Sequence, residues 1–266
     1  IAQAEKSKFK PAGLEMSFGF KDSLLPALEI PVDETTLLQI AGIIDRVDAV
    51  SECGKSYLVI IDYKSGRPQL KLHDIYDGLS LQLLTYMLVC MENSDKLNLD
   101  QALPGGLFYF RIHNPLVKWQ GDVDYEKIQE AVNKEFKLKG LLLGDRQLIG
   151  LMDNSLNSGW SEILPVGIGK DGFYARSAVF SEEGFSLLKE HLLKTIREIG
   201  QEMINGKVEI YPYKKGNAKP CLYCDYKAVC QFDVLFTDNN YRVLTNTPDD
   251  LIWESLGYVK EVGSDE

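Results

Sequence analysis

Residues 39–64 have the sequence QIAGIIDRVDAV-SECGKS-YLVIIDYK, and this stretch decides the fold. Its two apolar, β-branched runs, Gln39–Val50 and Tyr57–Tyr63, predict two buried strands. The polar link between them, Ser51–Ser56, is short and contains Gly54, which is typical of a hairpin turn. The sequence therefore predicts an antiparallel pair of buried strands.

Two aspartates lie inside these runs, where a charge is costly unless it is paired or binds a metal ion. If the hairpin is symmetric about the Cys53–Gly54 junction, Asp45 and Asp62 lie opposite one another and repel. Mg²⁺ between them would turn repulsion into coordination. Lys64 shares the face of Asp62 and can assist water attack on a bound phosphate. Alone, Asp-x-Lys more often marks solvated charges at a strand end, so the prediction rests on all three residues.

Outside the hairpin, the predicted strands come first and the helices later. This order indicates a mixed α/β (α+β) domain rather than a regular array of βαβ units. The predicted elements are a strand at Leu14–Phe20, a helix at His73–Met91, a strand at Leu107–Ile112, and amphipathic helices at Asp124–Lys139 and Glu182–Asn205. The Gly-rich stretch Leu141–Asp171 has no assigned element, and Tyr211–Phe232 is predicted to be loop-like.

The composition is that of a globular domain, with 45% hydrophobic residues among 266. No apolar run is long enough to span a bilayer, and the polar start shows no signal peptide. The net charge of −10 argues against a protein that coats DNA non-specifically, because such proteins carry broad basic surfaces. The first residue is Ile, so we interpret the chain as a fragment of a longer protein.

Three stretches resemble the PD-(D/E)XK nucleases of the RecB type: Gly42–Asp48, Ile61–Gly66 and Leu81–Tyr86. The resemblance implies a restriction-endonuclease-like core, with a mixed central β-sheet flanked by helices. It also implies a metal-dependent deoxyribonuclease in which Asp45, Asp62 and the carbonyl of Tyr63 bind Mg²⁺, and in which Lys64 assists water attack.

The third stretch resembles the Gln-x-x-x-Tyr helix motif of that group. Gln82 and Tyr86 are four residues apart, hence on one helix face. The resemblance implies that they lie beside the metal site and help to hold DNA and Lys64. It also implies that Glu15, on the preceding strand, can join the metal site. The residues alone leave core packing open for Gln82 and Tyr86, and an exposed strand carboxylate for Glu15.

Three of the five cysteines, Cys221, Cys224 and Cys230, have the spacing C-x2-C-x5-C. Such thiolates can converge on zinc or an iron–sulfur cluster. The odd number of cysteines and their close spacing suggest such a site in a reducing cytoplasm rather than a framework of disulfides. Three ligands are one short of four, and neither Cys53 nor Cys90 is a compelling fourth. The segment resembles subunits of bacterial helicase–nucleases in which a preceding cysteine completes a [4Fe–4S] cluster. That resemblance implies a fourth ligand before the first residue of this chain.

The resemblance further implies a nuclease core over 1–210 with an insertion around 141–171, and a cysteine-rich segment and tail over 211–266. It implies an exodeoxyribonuclease that processes DNA double-strand ends for recombinational repair. The implied partners are DNA and the second subunit of a heterodimeric helicase–nuclease in the cytoplasm.

Three alternatives stay open: a catalytically inactive DNA-binding scaffold of the same superfamily, a nuclease of the CRISPR-adaptation type, and a plain zinc-binding module. A dinucleotide site at Gly167–Gly172, which matches G-x-G-x-x-G, is rejected because such a site needs a strand before it and a helix after it. Here Phe173–Phe180, which is predicted to be a strand, follows the glycines.

Overall fold

The computed structural model describes residues 5–117, 124–237 and 239–258. In these ranges the strands, in chain order, are β1 (Lys10–Phe18), β2 (Leu28–Pro31), β3 (Leu37–Ile40), β4 (Gly42–Glu52), β5 (Lys55–Lys64), β6 (Ala102–Arg111), β7 (Lys139–Leu143), β8 (Gly159–Trp160), β9 (Gly167–Ile168), β10 (Val179–Phe180), β11 (Tyr213–Lys215) and β12 (Arg242–Leu244). The helices are α1 (Leu72–Tyr76), α2 (Gln82–Glu92), α3 (Tyr125–Glu135), α4 (Arg146–Met152), α5 (Glu182–Ile204), α6 (Lys227–Cys230) and α7 (Asp249–Ser255).

Six strands form a central sheet in the order β1-β4-β5-β6-β7-β10. β4 pairs antiparallel with β1 and β5, and β6 pairs antiparallel with β7. The β5–β6 and β7–β10 pairs are parallel. Parallel neighbours need a crossover connection, which contains α1 and α2 between β5 and β6. The predicted mixed sheet flanked by helices is confirmed.

Helix α2 packs against β5, β6 and α5. It is buried on nearly all sides, as expected for a helix in the core. Its buried residues are Leu83, Leu84, Thr85, Tyr86, Met87, Leu88, Val89 and Cys90. Burial raises the pKa of the Cys90 thiol to about 12, so this cysteine is the core residue that the sequence predicts. Gln82, at the first position of the helix, is exposed.

The prediction of a single helix over His73–Met91 is wrong. The structure has two helices, α1 and α2, with Gly78 between them at a φ of 77°. This left-handed conformation favours glycine and ends a helix. The short α1 is attached to the core by the buried side chains of Leu72 and Ile75.

The prediction of one strand over Gln39–Val50 is also wrong. The chain leaves the strand conformation at Ala41, between β3 and β4. β3 pairs with β2 in a separate two-stranded sheet. Side chains of α5 hold this hairpin, since Arg197 donates a hydrogen bond to the carbonyl of Pro31 and Gln201 donates one to the carbonyl of Val32.

The stretch Leu141–Asp171 contains more regular structure than its composition indicates. Helix α3 ends at Glu135, earlier than predicted, and Lys139–Leu143 enters the central sheet as β7. Helix α4 follows, and the Asp145 side chain caps its N-terminus. The predicted strand Phe173–Phe180 shrinks to β10, and the rejected glycine motif begins in the β8–β9 hairpin. The predicted insertion boundaries themselves stay a prediction.

The C-terminal part of the chain packs on the core through α7. Ile252 is fully buried, and α7 contacts α1. The division at residue 210 stays a prediction, and the part of 211–266 after Tyr258 lies outside the described residues. Across the described ranges, every helix is too short or too polar to span a membrane.

Replacing Gly140 by alanine tests the close approach of β7 to β6. A Cβ at Gly140 would lie 1.9 Å from the carbonyl oxygen of Leu107, so the strands must move apart. We expect Gly140→Ala to lose roughly 1–3 kcal/mol of unfolding free energy, as overpacked cores do. Gly150→Ala in α4 is the control, because a Cβ there meets nothing within 4 Å. Urea unfolding measures both variants, and equal stability of wild type and Gly140→Ala would contradict this packing.

Candidate active site

The β4–β5 hairpin has the symmetric register that the sequence predicts. The pair Glu52↔Lys55 closes a two-residue turn, and the same symmetry continues along both strands. The turn residues Cys53 and Gly54 have φ values of 53° and 76°. Two positive φ values are those of a type I′ turn, whose twist matches that of the paired strands. The turn therefore sets which residues of β4 and β5 face each other.

Asp45 and Asp62 lie one step beyond the last pair of this ladder, Arg46↔Ile61. Continuing the register places the two aspartates opposite one another, hence on the same face of the sheet. Asp45 is half-buried, and its Oδ2 accepts a hydrogen bond from the backbone N–H of Tyr63 at 2.7 Å. This bond attaches the carboxylate of β4 to the backbone of β5.

The Asp62 carboxylate is buried, with 1% of the residue exposed. Lys64 Nζ lies 2.6 Å from Asp62 Oδ2 as an ion pair. Among the described residues, this ion pair is the one polar contact of Asp62 Oδ2. Burial raises the pKa of the Asp62 carboxyl, Lys64 opposes that rise, and the charge of Asp45 adds to it. A buried carboxylate with an open oxygen is a suitable ligand for a cation.

The predicted helix motif holds Lys64 through Gln82, and Tyr86 holds Gln82 in turn. Its Nζ donates a hydrogen bond of 3.3 Å to Gln82 Oε1, and Gln82 Nε2 donates one of 2.9 Å to Tyr86 Oη. The Tyr86 ring packs edge-on against Phe18 of β1, with 5.8 Å between ring centroids. Because Gln82 is exposed, core packing does not account for it. Tyr86 both packs in the core and holds Gln82.

Glu15 occupies a strained position in β1. The register of β1 with β4 places it beside Asp45. Its φ of 46° is a left-handed conformation inside a strand, which costs roughly 1–3 kcal/mol and occurs most often at functional sites. The residue is exposed. The structure thus places the backbone of Glu15 across from Asp45, while its role as a ligand stays a prediction.

The acidic pair fits Mg²⁺, because this ion binds through one or two carboxylates and keeps several water molecules. The open Oδ2 of Asp62 is the observation that supports the fit. Within the ranges that the structure describes, no three His, Cys, Asp or Glu side chains converge as a larger metal-binding group. The carbonyl of Tyr63 as a further ligand stays a prediction.

The Cys segment, Pro220–Cys230, follows β11 and consists of a 3-10 turn and α6. Cys221 and Cys230 are half-buried, Cys224 is exposed, and all three thiols are free. In their described positions they do not converge on a common metal site. The present arrangement therefore does not fit a bound cluster, and the [4Fe–4S] cluster stays a prediction.

The family model described as the PD-(D/E)XK nuclease superfamily matches residues 1–231. This match covers the hairpin, α2 and the Cys segment. The chain belongs to the PD-(D/E)XK nuclease superfamily. The resemblance that the hairpin and helix motifs predict is thereby confirmed.

Among curated relatives, the chain is similar to proteins named as a subunit of an ATP-dependent helicase/deoxyribonuclease. It is 42% identical to the one from Desulforamulus reducens over 259 aligned residues, which are 96% of this chain. It is 40% identical over 98% of its length to those from Bacillus mycoides and Bacillus anthracis. The chain spans 22% of the length of each relative, so the similarity concerns one part of those proteins.

Tyr109, which no sequence motif indicates, lies beside Lys64 in this member of the PD-(D/E)XK nuclease superfamily. Tyr109 pairs with Asp62 across the β5–β6 ladder, and its ring centroid lies 5.7 Å from Lys64 Nζ. Burial raises the pKa of the Tyr109 hydroxyl, and the charge of Asp62 adds to the rise. An open cleft beside the ring is lined by the loop 65–69. From the sequence, strand alternation predicts which face of the sheet carries Tyr109. It does not predict that Tyr109 lies beside Asp62, because that depends on the register of the parallel β5–β6 pair.

We expect Asp62→Asn to stabilise the metal-free chain at neutral pH. A carboxyl whose pKa is raised on folding destabilises the folded state once it ionises. The loss of unfolding free energy grows as the pH rises from the ordinary pKa of 3.8 to the raised pKa of the folded chain. The gain from asparagine should therefore be present at neutral pH and vanish below that ordinary value. Melting temperatures in the presence of EDTA at several pH values measure it.

Asp48→Asn is the matched control for this experiment. Asp48 is also buried in β4, but it accepts two hydrogen bonds of 2.7 Å from Arg46. Its neutralisation removes the charged partner of Arg46, so we expect a lower melting temperature. If Asp62→Asn were destabilised in the same way at neutral pH, the Asp62 carboxylate would be satisfied without a metal ion.

Proposed function

We propose that the chain is a Mg²⁺-dependent deoxyribonuclease domain that hydrolyses phosphodiester bonds at Asp45, Asp62 and Lys64. The observation that carries the proposal is the buried Asp62 Oδ2 without a hydrogen bond, 2.6 Å from Lys64 Nζ. Buried polar atoms are nearly always well hydrogen-bonded, and a buried carboxylate oxygen held by one lysine alone can take a further cation. The name of the relatives, which contains the word deoxyribonuclease, supports the same class of activity.

In this proposal the two aspartates are the metal ligands, with the Tyr63 carbonyl and Glu15 as further candidates. Mg²⁺ bound there supplies positive charge to the phosphate and lowers the pKa of a water molecule. The hydrogen bond from the Tyr63 N–H keeps Asp45 facing Asp62. The strained backbone at Glu15, across from Asp45, makes Glu15 a candidate for a third acidic ligand.

Lys64 stabilises the negative charge that develops on the phosphate and orients the attacking water. Its ammonium is partly exposed, so it can reach a phosphate while it stays next to Asp62. Gln82 holds the ammonium and Tyr86 holds Gln82, so the position of Lys64 is set before DNA binds. The ring of Tyr109 closes the other side of the site.

We propose DNA double-strand ends as the substrate, cleaved as an exonuclease during recombinational repair. The names of the relatives join a helicase to a deoxyribonuclease and describe a subunit, which supports a heterodimer with an AddA-like helicase–nuclease partner in the cytoplasm. The net charge of −10 is consistent with a DNA channel whose basic residues come in part from that partner. The presence of Asp45, Asp62 and Lys64 together argues against an inactive scaffold.

Asp62→Ala and Lys64→Ala test the active site. We expect each to lower Mg²⁺-dependent cleavage of linear double-stranded DNA by at least about 100-fold, because each removes a group that acts on the metal or the transition state. Circular dichroism should show a folded chain in both cases. Near-normal cleavage by either variant would disprove this assignment.

Lys55→Ala is the matched control for these variants. Lys55 lies on the same strand as Lys64, at the opposite end, and is exposed beside the hairpin turn. Its loss removes the same charge from β5 without touching the site, so cleavage should stay at the wild-type level. EDTA should abolish cleavage by both Lys55→Ala and wild type.

We also propose that Cys221, Cys224 and Cys230 bind a [4Fe–4S] cluster when a fourth cysteine, from a preceding part of the protein, is present. The C-x2-C-x5-C spacing supports this proposal. With only three thiolates, this chain should hold little iron, while a longer chain that includes the preceding cysteine should be brown and contain iron and sulfide. Zinc without visible absorption would favour a zinc module, and full iron content in the short chain would refute the need for a fourth cysteine.

A further inference from the structure

Lys215, in β11, forms two ion pairs with residues near the proposed active site. Its Nζ donates hydrogen bonds to Asp74 Oδ1 at 2.7 Å and to Asp77 Oδ2 at 2.8 Å. We call Lys215, Asp74 and Asp77 the ion triad, and their side chains are 12%, 23% and 14% exposed, respectively. Burial alone would lower the pKa of Lys215, but the two carboxylates outweigh it and hold the pKa above its ordinary value. The triad is therefore charged and largely shielded from water.

Asp74 connects the ion triad to the start of α2. Its backbone carbonyl accepts hydrogen bonds from the N–H groups of Leu79 at 2.8 Å and Ser80 at 3.2 Å. These bonds close the turn that leads into α2, whose first residue is Gln82. Gln82 is the acceptor for the Lys64 ammonium. Asp77, the second carboxylate partner of Lys215, lies in this turn, so its ion pair holds the backbone that leads to Gln82.

Lys215, the third member of the ion triad, lies close in sequence to the Cys segment. Lys215 and Ala218 exchange two backbone hydrogen bonds, of 3.0 and 2.9 Å, which close a tight turn. Cys221 follows this turn after two residues. The turn therefore joins the Cys segment to the ion triad through only two residues.

Asp74 also acts electrostatically on a residue of the site. Its charge raises the pKa of Tyr109, after the larger effects of burial and of Asp62. The ring of Tyr109 in turn lies beside Lys64, 5.7 Å from its Nζ. Helix α1 has a separate attachment to α5, where the ring of His191 stacks on that of Tyr76 at 5.2 Å. Loss of the ion triad should therefore loosen the turn at 77–80 without releasing α1.

We propose that Lys215 is a positioning residue for cleavage, which acts through Asp77 and the turn 77–80 on Gln82 and Lys64. By this route the active site depends on the position of the Cys segment. The inference rests on the proposed nuclease function and adds to it a link between two parts of the chain.

The test compares Lys215→Met, Lys215→Arg and the control Lys207→Met in the full chain. Lys207 lies just after α5 and pairs with Glu202 on the surface, away from the site. We expect Lys215→Met to lower kcat for Mg²⁺-dependent cleavage of linear DNA by about 10- to 100-fold, as small misplacements of catalytic groups do. The KM for DNA should change by less than about twofold, since no contact with DNA is removed. Lys215→Arg, which keeps the charge, should recover most of kcat, and Lys207→Met should match wild type.

Hydrogen exchange tests the same link without any measurement of activity. In Lys215→Met the amides of Leu79 and Ser80 should exchange faster, because Asp77 in the same turn has lost its ion pair, while Lys207→Met should leave them unchanged. Normal kcat, unchanged exchange, or a lower melting temperature alone would overturn the proposal. Absence of cleavage by the wild-type chain would count against the proposed function instead, and exchange would still decide the role of Lys215. If Lys215→Met does not fold, Asp77→Asn removes one ion pair only, and the same changes are expected on a smaller scale.

Discussion

A carboxylate inside a β-sheet is the constraint on which the rest of this structure depends. Asp62 lies in a strand of otherwise apolar residues, where ionisation is unfavourable unless cations are near. Lys64 provides one cation, at the end of the strand where its ammonium still reaches solvent. The hairpin adds Asp45, whose negative charge increases the need for a second cation. The burial that raises the pKa of Asp62 is therefore also what would favour a cation beside it.

The topology of the sheet brings the remaining groups to this carboxylate. A parallel β5–β6 pair requires a crossover, and the crossover helix α2 packs on the two strands that carry the site. Its first turn therefore ends beside Lys64. This explains why an exposed glutamine, Gln82, begins a helix that is otherwise apolar and buried. The packing of α2 and the orientation of Lys64 have a common origin in the order of the strands.

The parts of the fold that depend on local chemistry could be predicted from the sequence. A two-residue turn and strand alternation fix the β4–β5 register, and four-residue spacing fixes the face of Gln82. The break at Gly78 was missed because a glycine in an apolar run does not reveal its φ. Strand β7 was missed because its run of leucines has no alternation. Tyr109 lies beside Lys64, and Lys215 beside Asp74 and Asp77, through contacts between distant segments, which no pattern within one segment reveals.

Surface turns usually accept insertions and deletions, because few contacts depend on their length. The two-residue turn at Cys53 and Gly54 is an exception. Side chains alternate along a strand, so a residue added to the ladder of either strand would move its aspartate to the opposite face of the sheet. The tip of the hairpin can change in residue type, within the limits of a positive φ, but hardly in length. Evolution of this loop is thus restricted by the facing of the two aspartates at the far end of the same two strands.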